Sequence, residues 1–115
     1  MLIKNLTRTA VLGTSVDVAD TSAKRRTGLL KHHTLAAGEG LWIVPCEGVH
    51  TFGMKFPIDI LFLSKTHRVL KIRTSVPKRR ASLCLRAHSV IELPAGTVDA
   101  TGTQKGDQLI FETSP

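Results

Sequence analysis

A chain of 115 residues with a formal net charge of +7 is too short for two independent domains and long enough for one core without disulfide staples. Hydrophobic residues at 42% and charged residues at 22% exclude wholesale disorder. Two cysteines, Cys46 and Cys84, exclude a disulfide framework. No window approaches the roughly 20 apolar residues of a membrane helix, and the N-terminal residues lack the apolar stretch of a secretory signal. A soluble, cytoplasmic, single-domain protein (residues 1–115) with no membrane partner is therefore the expectation.

Leu2 to Leu6 reads as a short strand. From Leu12 to Val18, apolar Leu12, Val16 and Val18 and Thr14 alternate with Gly13, Ser15 and Asp17, the period of a half-buried strand. Asp20, Thr21 and Ser22 each offer a side-chain oxygen to the free N–H groups of a helix start. Ala23, Thr27 and Leu30 follow at helical spacing, and Gly28 suits either the residue after a short helix or a close-packing point within a longer one. Gly40 to Val44 reads as a strand stopped by Pro45. Asp59 to Leu63 is apolar on both faces and suits a central strand. A hairpin through Ser64–His67 leads to an alternating strand over Arg68–Val76. Val90 to Leu93 is a further strand ended by Pro94, Ala95–Thr97 begins a helical turn, and Gly106–Asp107 turns the chain into a last strand, Gln108 to Glu112. Six or seven short strands with one or two short helices, and no helix regularly between strands, predict an α+β domain with a mostly antiparallel, curled or barrel-like sheet.

The positive charge is local. Ile60 to Ile91 contains no acidic residue and eight basic ones, while the rest of the chain holds eight basic and nine acidic residues. Lys78, Arg79 and Arg80 form the densest basic patch. Such a stripe can attract phosphates or carboxylates. No aromatic side chain is interleaved there to stack on bases, so nucleic acid is the less favoured partner.

Side chains with chemistry concentrate between Cys46 and Asp59, a span with two glycines and a proline that predicts a shaped loop presented by a rigid sheet. Gly53 suits a positive φ or a close approach. Cys46 and His50 are candidates for a thiolate–imidazolium pair. The Cys-x3-His spacing occurs twice, at Cys46/His50 and Cys84/His88. On extended strands such pairs lie about 13 Å apart, too far to share one ion, so no metal and no cofactor is expected. Asp59 and Glu92 are carboxylates within apolar strands. Each needs a cation or several donors, with Lys55, Arg25 and Lys71 as candidate cations.

Taken together, Arg26-Thr27-Gly28-Leu29-Leu30, Pro45-Cys46, Val49-His50-Thr51-Phe52-Gly53-Met54, Pro57-Ile58-Asp59, Val90-Ile91-Glu92-Leu93-Pro94-Ala95-Gly96 and Gly106-Asp107 resemble the DUF192 family, small bacterial and archaeal proteins of uncharacterised function. The resemblance spans about residues 16–111, and its most specific part is HTFGMKFPIDILFL. Where the family usually has Gly-Leu-Met, this chain has Gly-Leu-Leu. Some relatives look exported, bearing a signal or lipoprotein leader. The resemblance implies a compact α+β domain and marks Arg26, His50, Thr51, Met54, Asp59 and Glu92 as the characteristic polar positions. It supplies no reaction.

The leading expectation is a non-catalytic binding or accessory module. Its pocket would lie near His50, lined by Trp42, His50, Thr51, Phe52 and Met54, with Arg26 and Asp59 as polar anchors, and would take a small anionic ligand. Two alternatives stand beside it. One is a hydrolase-type enzyme using His50 with Cys46 or Asp59. The other is nucleic-acid binding through the basic segment 65–86.

Overall fold

The computed structural model describes residues 1–113. Its elements, in chain order, are β1 (Leu2–Asn5), β2 (Ala10–Gly13), β3 (Ser15–Ala19), α1 (Ser22–Thr27), β4 (Glu39–Ile43), β5 (Gly48–His50), β6 (Ile58–Leu63), β7 (Val69–Val76), β8 (Ala81–Leu83), β9 (Ser89–Pro94), α2 (Thr97–Thr101) and β10 (Leu109–Glu112). Strands predominate and the helices are single short turns, so the class is α+β. Three sheets form, with strand orders β3-β4-β9-β6-β7, β10-β1-β2 and β5-β8. None closes on itself, so the barrel-like expectation is not met, and ten strands replace the six or seven predicted.

The five-stranded sheet separates two cores. Along β6, Ile58, Ile60 and Phe62 enter one core, whereas Leu61 and Leu63 enter the other. Along β9, Val90 enters the first core and Ile91 and Leu93 the second. This is the period of two of a strand buried on both faces. The first core also takes Leu29 from the residues after α1, with Val49 of β5 packed against it. The second takes Ile3, Leu12, Leu109 and Val98, so the small sheet and α2 cover that face.

Local chemistry sets the ends of the elements. Thr21 caps α1, its hydroxyl oxygen accepting from the Lys24 N–H at 3.2 Å, and Gly28 follows the helix with φ 50°, a backbone state in which a Cβ is strained. No residue within α1 is buried; its apolar contribution comes from Leu29 and Leu30, just past the cap. The hairpin through Ser64–His67 joins β6 to β7 as the sequence predicts.

The alternating stretch Leu12–Val18 is not one strand. The chain turns at Thr14, where the Gly38 carbonyl accepts from the N–H groups of both Thr14 and Ser15, so β2 and β3 enter different sheets. β3 then runs parallel to β4, an exception to the antiparallel rule. The three-residue strands β5 and β8 escape sequence reading because each is too short to show a period and pairs only with the other.

Two buried carboxylates lock the frame. Asp59 is fully buried on the second-core side of β6. One of its oxygens accepts the Ser75 N–H of β7 at 2.8 Å and the other accepts the Val98 N–H of α2 at 2.9 Å. Asp107 accepts from Arg8 Nε at 2.9 Å, Arg8 Nη2 at 3.1 Å, Asn5 Nδ2 at 3.0 Å and the Gln104 N–H at 2.9 Å. Burial would push the Asp107 carboxyl up, but these donors, Arg8 foremost, outweigh it and hold it below the usual carboxylate range.

Asp59→Ala leaves the buried Val98 N–H and the part-buried Ser75 N–H without an acceptor and should cost about 2 kcal/mol or more. Urea unfolding followed by fluorescence and circular dichroism should show the loss as a lower midpoint with an unchanged slope.

Candidate functional site

The first-core face of the sheet does not close completely. Between α1, the end of β4, the Pro45–Glu47 segment and β5 lies a cleft of about 420 Å³, within the size range of small-molecule sites. Arg25 and Arg26 come from α1, Cys46 from the connection after β4, His50 from the end of β5, Met54 from the loop after it and Glu92 from the central strand β9. The loop that supplies Met54 turns tightly. The Met54 N–H donates to the Thr51 carbonyl at 3.1 Å, and Gly53 has φ 82°, the left-handed state that glycine adopts without penalty.

Glu92 is the unusual group. Strand alternation turns it toward the first core, where it is only 4% exposed, yet it lines the cleft. Among the described residues it has no hydrogen-bond or ion-pair partner; the cations that the sequence offers, Arg25, Lys55 and Lys71, do not pair with it or with Asp59. Burial alone pushes its carboxyl up to about 7. Arg25 is tied to its own helix end, donating to the Asp20 carbonyl at 3.2 Å and to Ser22 Oγ at 3.4 Å. Arg26 is exposed.

Cys46 is half-buried. Its thiol donates to the Gly48 carbonyl at 3.1 Å and is pushed up chiefly by burial, reinforced by the nearby Glu92 charge. A thiol in that state is a poor nucleophile. Its hydrogen bond goes to the backbone and not to His50, so the geometry lends no support to a Cys46–His50 pair. Asp59 lies across the sheet from the cleft with both oxygens engaged by backbone N–H groups, which separates it from His50 as well.

The sequence-predicted residues therefore divide. Arg26, His50, Met54 and Glu92 share the cleft. Trp42 faces the second core, where its ring packs against His67 at 5.6 Å and Phe111 at 4.5 Å. Thr51 is buried in the frame of the β5–β8 arm. Its Oγ1 donates to the Pro77 carbonyl at 2.6 Å and accepts the Arg80 N–H at 2.9 Å. Phe52 stands exposed beside the cleft, its ring 5.8 Å from that of His50. Lys78, Arg79 and Arg80 form an exposed loop between β7 and β8. Arg25 is the cleft residue that sequence reading treated only as a possible ion-pair partner; its place depends on how α1 packs, which no local pattern records. No group of three or more His, Cys, Asp or Glu side chains with metal-site geometry occurs among the described residues.

Fold and cleft together define a small α+β domain with a sheet-borne pocket, carboxyl at the floor and guanidinium at the rim. Residues 4–111 match the DUF192 family, described as "Uncharacterized ACR", and the chain belongs to that family. It is 31% identical over 117 residues to a UPF0127 protein of Thermococcus sibiricus, covering 97% of this chain and 75% of the relative. It is also 31% identical over 103 residues to a UPF0127 protein of Pyrococcus horikoshii, covering 85% and 88%. Two crystal structures share the fold. One is a protein of unknown function from Novosphingobium aromaticivorans, with TM-score 0.81, 19% identity and coverage of 96% of this chain and 82% of that one. The other, from Sinorhizobium meliloti, is provisionally described as a transcription regulator, with TM-score 0.83, 23% identity and coverage of 95% and 89%. Likeness at that identity shows the fold alone. No helix among the described residues is long and apolar enough to cross a membrane.

The burial of Glu92 has a pH signature. Because the folded-state value is raised, the native state holds the Glu92 proton while the unfolded chain releases it. Stability is therefore full below the unfolded value of 4.5 and falls as pH rises to about 7, a cost of about 3 kcal/mol. Urea unfolding at stepped pH should show this decline in the native sequence and a flatter profile in Glu92→Gln.

Proposed function

We propose that this protein is a non-catalytic binding module that holds a small anionic ligand in the cleft beside α1. The observation that carries the reading is the convergence of Arg25, Arg26 and His50 on one cleft with apolar walls. Guanidinium groups bind carboxylates and phosphates through paired hydrogen bonds. Arg26 is the principal anchor, because Arg25 already donates to its own helix end. Glu92 does not oppose an anion strongly, since its burial keeps much of it protonated near neutral pH. Its partial charge and depth instead set which anions fit. The exposed Lys78–Arg80 loop raises the local concentration of anions approaching the domain. The role uses no covalent chemistry at Cys46, whose proton is held chiefly by burial.

A thermal-shift screen of small carboxylates and phosphates should find compounds that raise the melting temperature. Arg26→Ala should reduce their affinity about tenfold or more, as expected for loss of a charge-assisted contact, while leaving the unliganded melting temperature within a degree or two. His50→Ala should weaken binding by a smaller factor. Binding unchanged in both variants would place the anion elsewhere, and a charge reversal at Lys78, Arg79 and Arg80 that abolished it would transfer the role to the basic loop.

A further inference from the structure

The cleft is bipolar. Its rim carries guanidinium groups together with the exposed Glu47 carboxylate, and its floor carries a carboxyl that has no cation or donor of its own among the described residues. Cys46 lines the same cleft and feels both the Glu92 and the Arg25 charges. An anion bound at the rim satisfies Arg26 and leaves Glu92 unsatisfied. A buried carboxyl without a partner is costly, and the binding free energy of a ligand rises when it supplies the missing partner. The strongest partner for a buried carboxylate is a donor carrying positive charge. The apolar side chains that share the cleft with Glu92, among them Leu29, Ile43 and Met54, offer no donor in its place.

We propose, building on the anion-binding reading above, that the ligand is an amine-bearing anion, such as an amino acid or an aminoalkyl phosphate, seated with its ammonium group at Glu92 and its carboxylate or phosphate at Arg26. The ammonium enters first and donates to the Glu92 carboxylate. The anionic end stays at the wetter rim. Zwitterions of this kind have little net charge, so desolvation is shared between two short-range contacts and is not borne by one ion. The walls of Leu30 and Met54 accommodate an apolar segment between the two ends. Specificity follows from the floor: a ligand without a donor leaves Glu92 unpaired and is rejected, the same asymmetry by which a site built for a hydrogen-bonding group discriminates against an analogue that lacks it.

The test is isothermal titration of the intact chain with matched probes: the common α-amino acids, β-alanine, γ-aminobutyrate and phosphoethanolamine, each against its deaminated analogue, with ethylamine as the amine alone. The native sequence should bind at least one amine-bearing anion about tenfold or more tightly than its deaminated analogue. Glu92→Gln should bring that ratio close to one, and Arg26→Ala should weaken both members of the pair. Glu92→Asp keeps the charge one methylene shorter and should retain part of the preference, which covers the case in which Glu92→Gln folds poorly. Deaminated anions that bind as tightly as their amine-bearing partners would overturn this inference and leave the anion pocket standing. Ethylamine binding as tightly as the amine-bearing anions, with no effect of Arg26→Ala, would overturn the anion pocket itself. Failure of every probe to bind would overturn both.

Discussion

A carboxyl group without a partner, held inside the central strand of a sheet, is the constraint around which this molecule is arranged. β9 is flanked by β4 on one side and β6 on the other. Its side chains therefore point into one core or the other, and water reaches them only where a core is incomplete. Val90, Ile91 and Leu93 fit that placement; Glu92 does not. The carboxyl is tolerated because the first core opens toward α1 and β5 at that point, which leaves the cleft. The cost remains visible in a carboxyl pushed up to about 7 by burial alone. Ionisable groups perturbed in this way cluster at functional sites.

Asp59 gives the contrast. It occupies the neighbouring strand β6, is as deeply buried as Glu92, and faces the opposite core. There it accepts one N–H from β7 and one from α2. Asp107 follows the same logic with Arg8, Asn5 and Gln104. Three buried carboxylates thus serve two purposes. Those with their oxygens engaged by protein donors fasten strands and helix together, and the one without a protein partner faces the cleft.

The pattern of the sequence carries much of this, though unevenly. The two-faced strand β6, the strand β9, a helix start within Asp20–Ser22 and the β6–β7 hairpin follow from period, capping and turn chemistry, all of which act within a few residues. Strands β5 and β8 do not, because a three-residue strand has no period and its pairing is decided by a partner more than 30 positions away. The same division holds for the site. His50, Met54 and Glu92 stand out as polar or soft side chains near glycines or within an apolar run, Arg26 is marked by the family resemblance, and the four meet in one cleft. Trp42 and Asp59 stand out equally and belong to the other face. Alternation places Asp59 opposite Ile58 and Ile60. Which of those faces opens to solvent depends on where α1 settles, and the sequence around α1 gives no sign of that.

The account rests on the state of Glu92, and a carboxyl-detected carbon-13 titration of the ligand-free protein reads that state directly. A Glu92 resonance titrating near 7, well above the other glutamates, is the predicted result. A midpoint near the ordinary value of 4.5 would mean that the carboxyl is solvated or paired, and would contradict the claim that the cleft is built around an unpartnered acid.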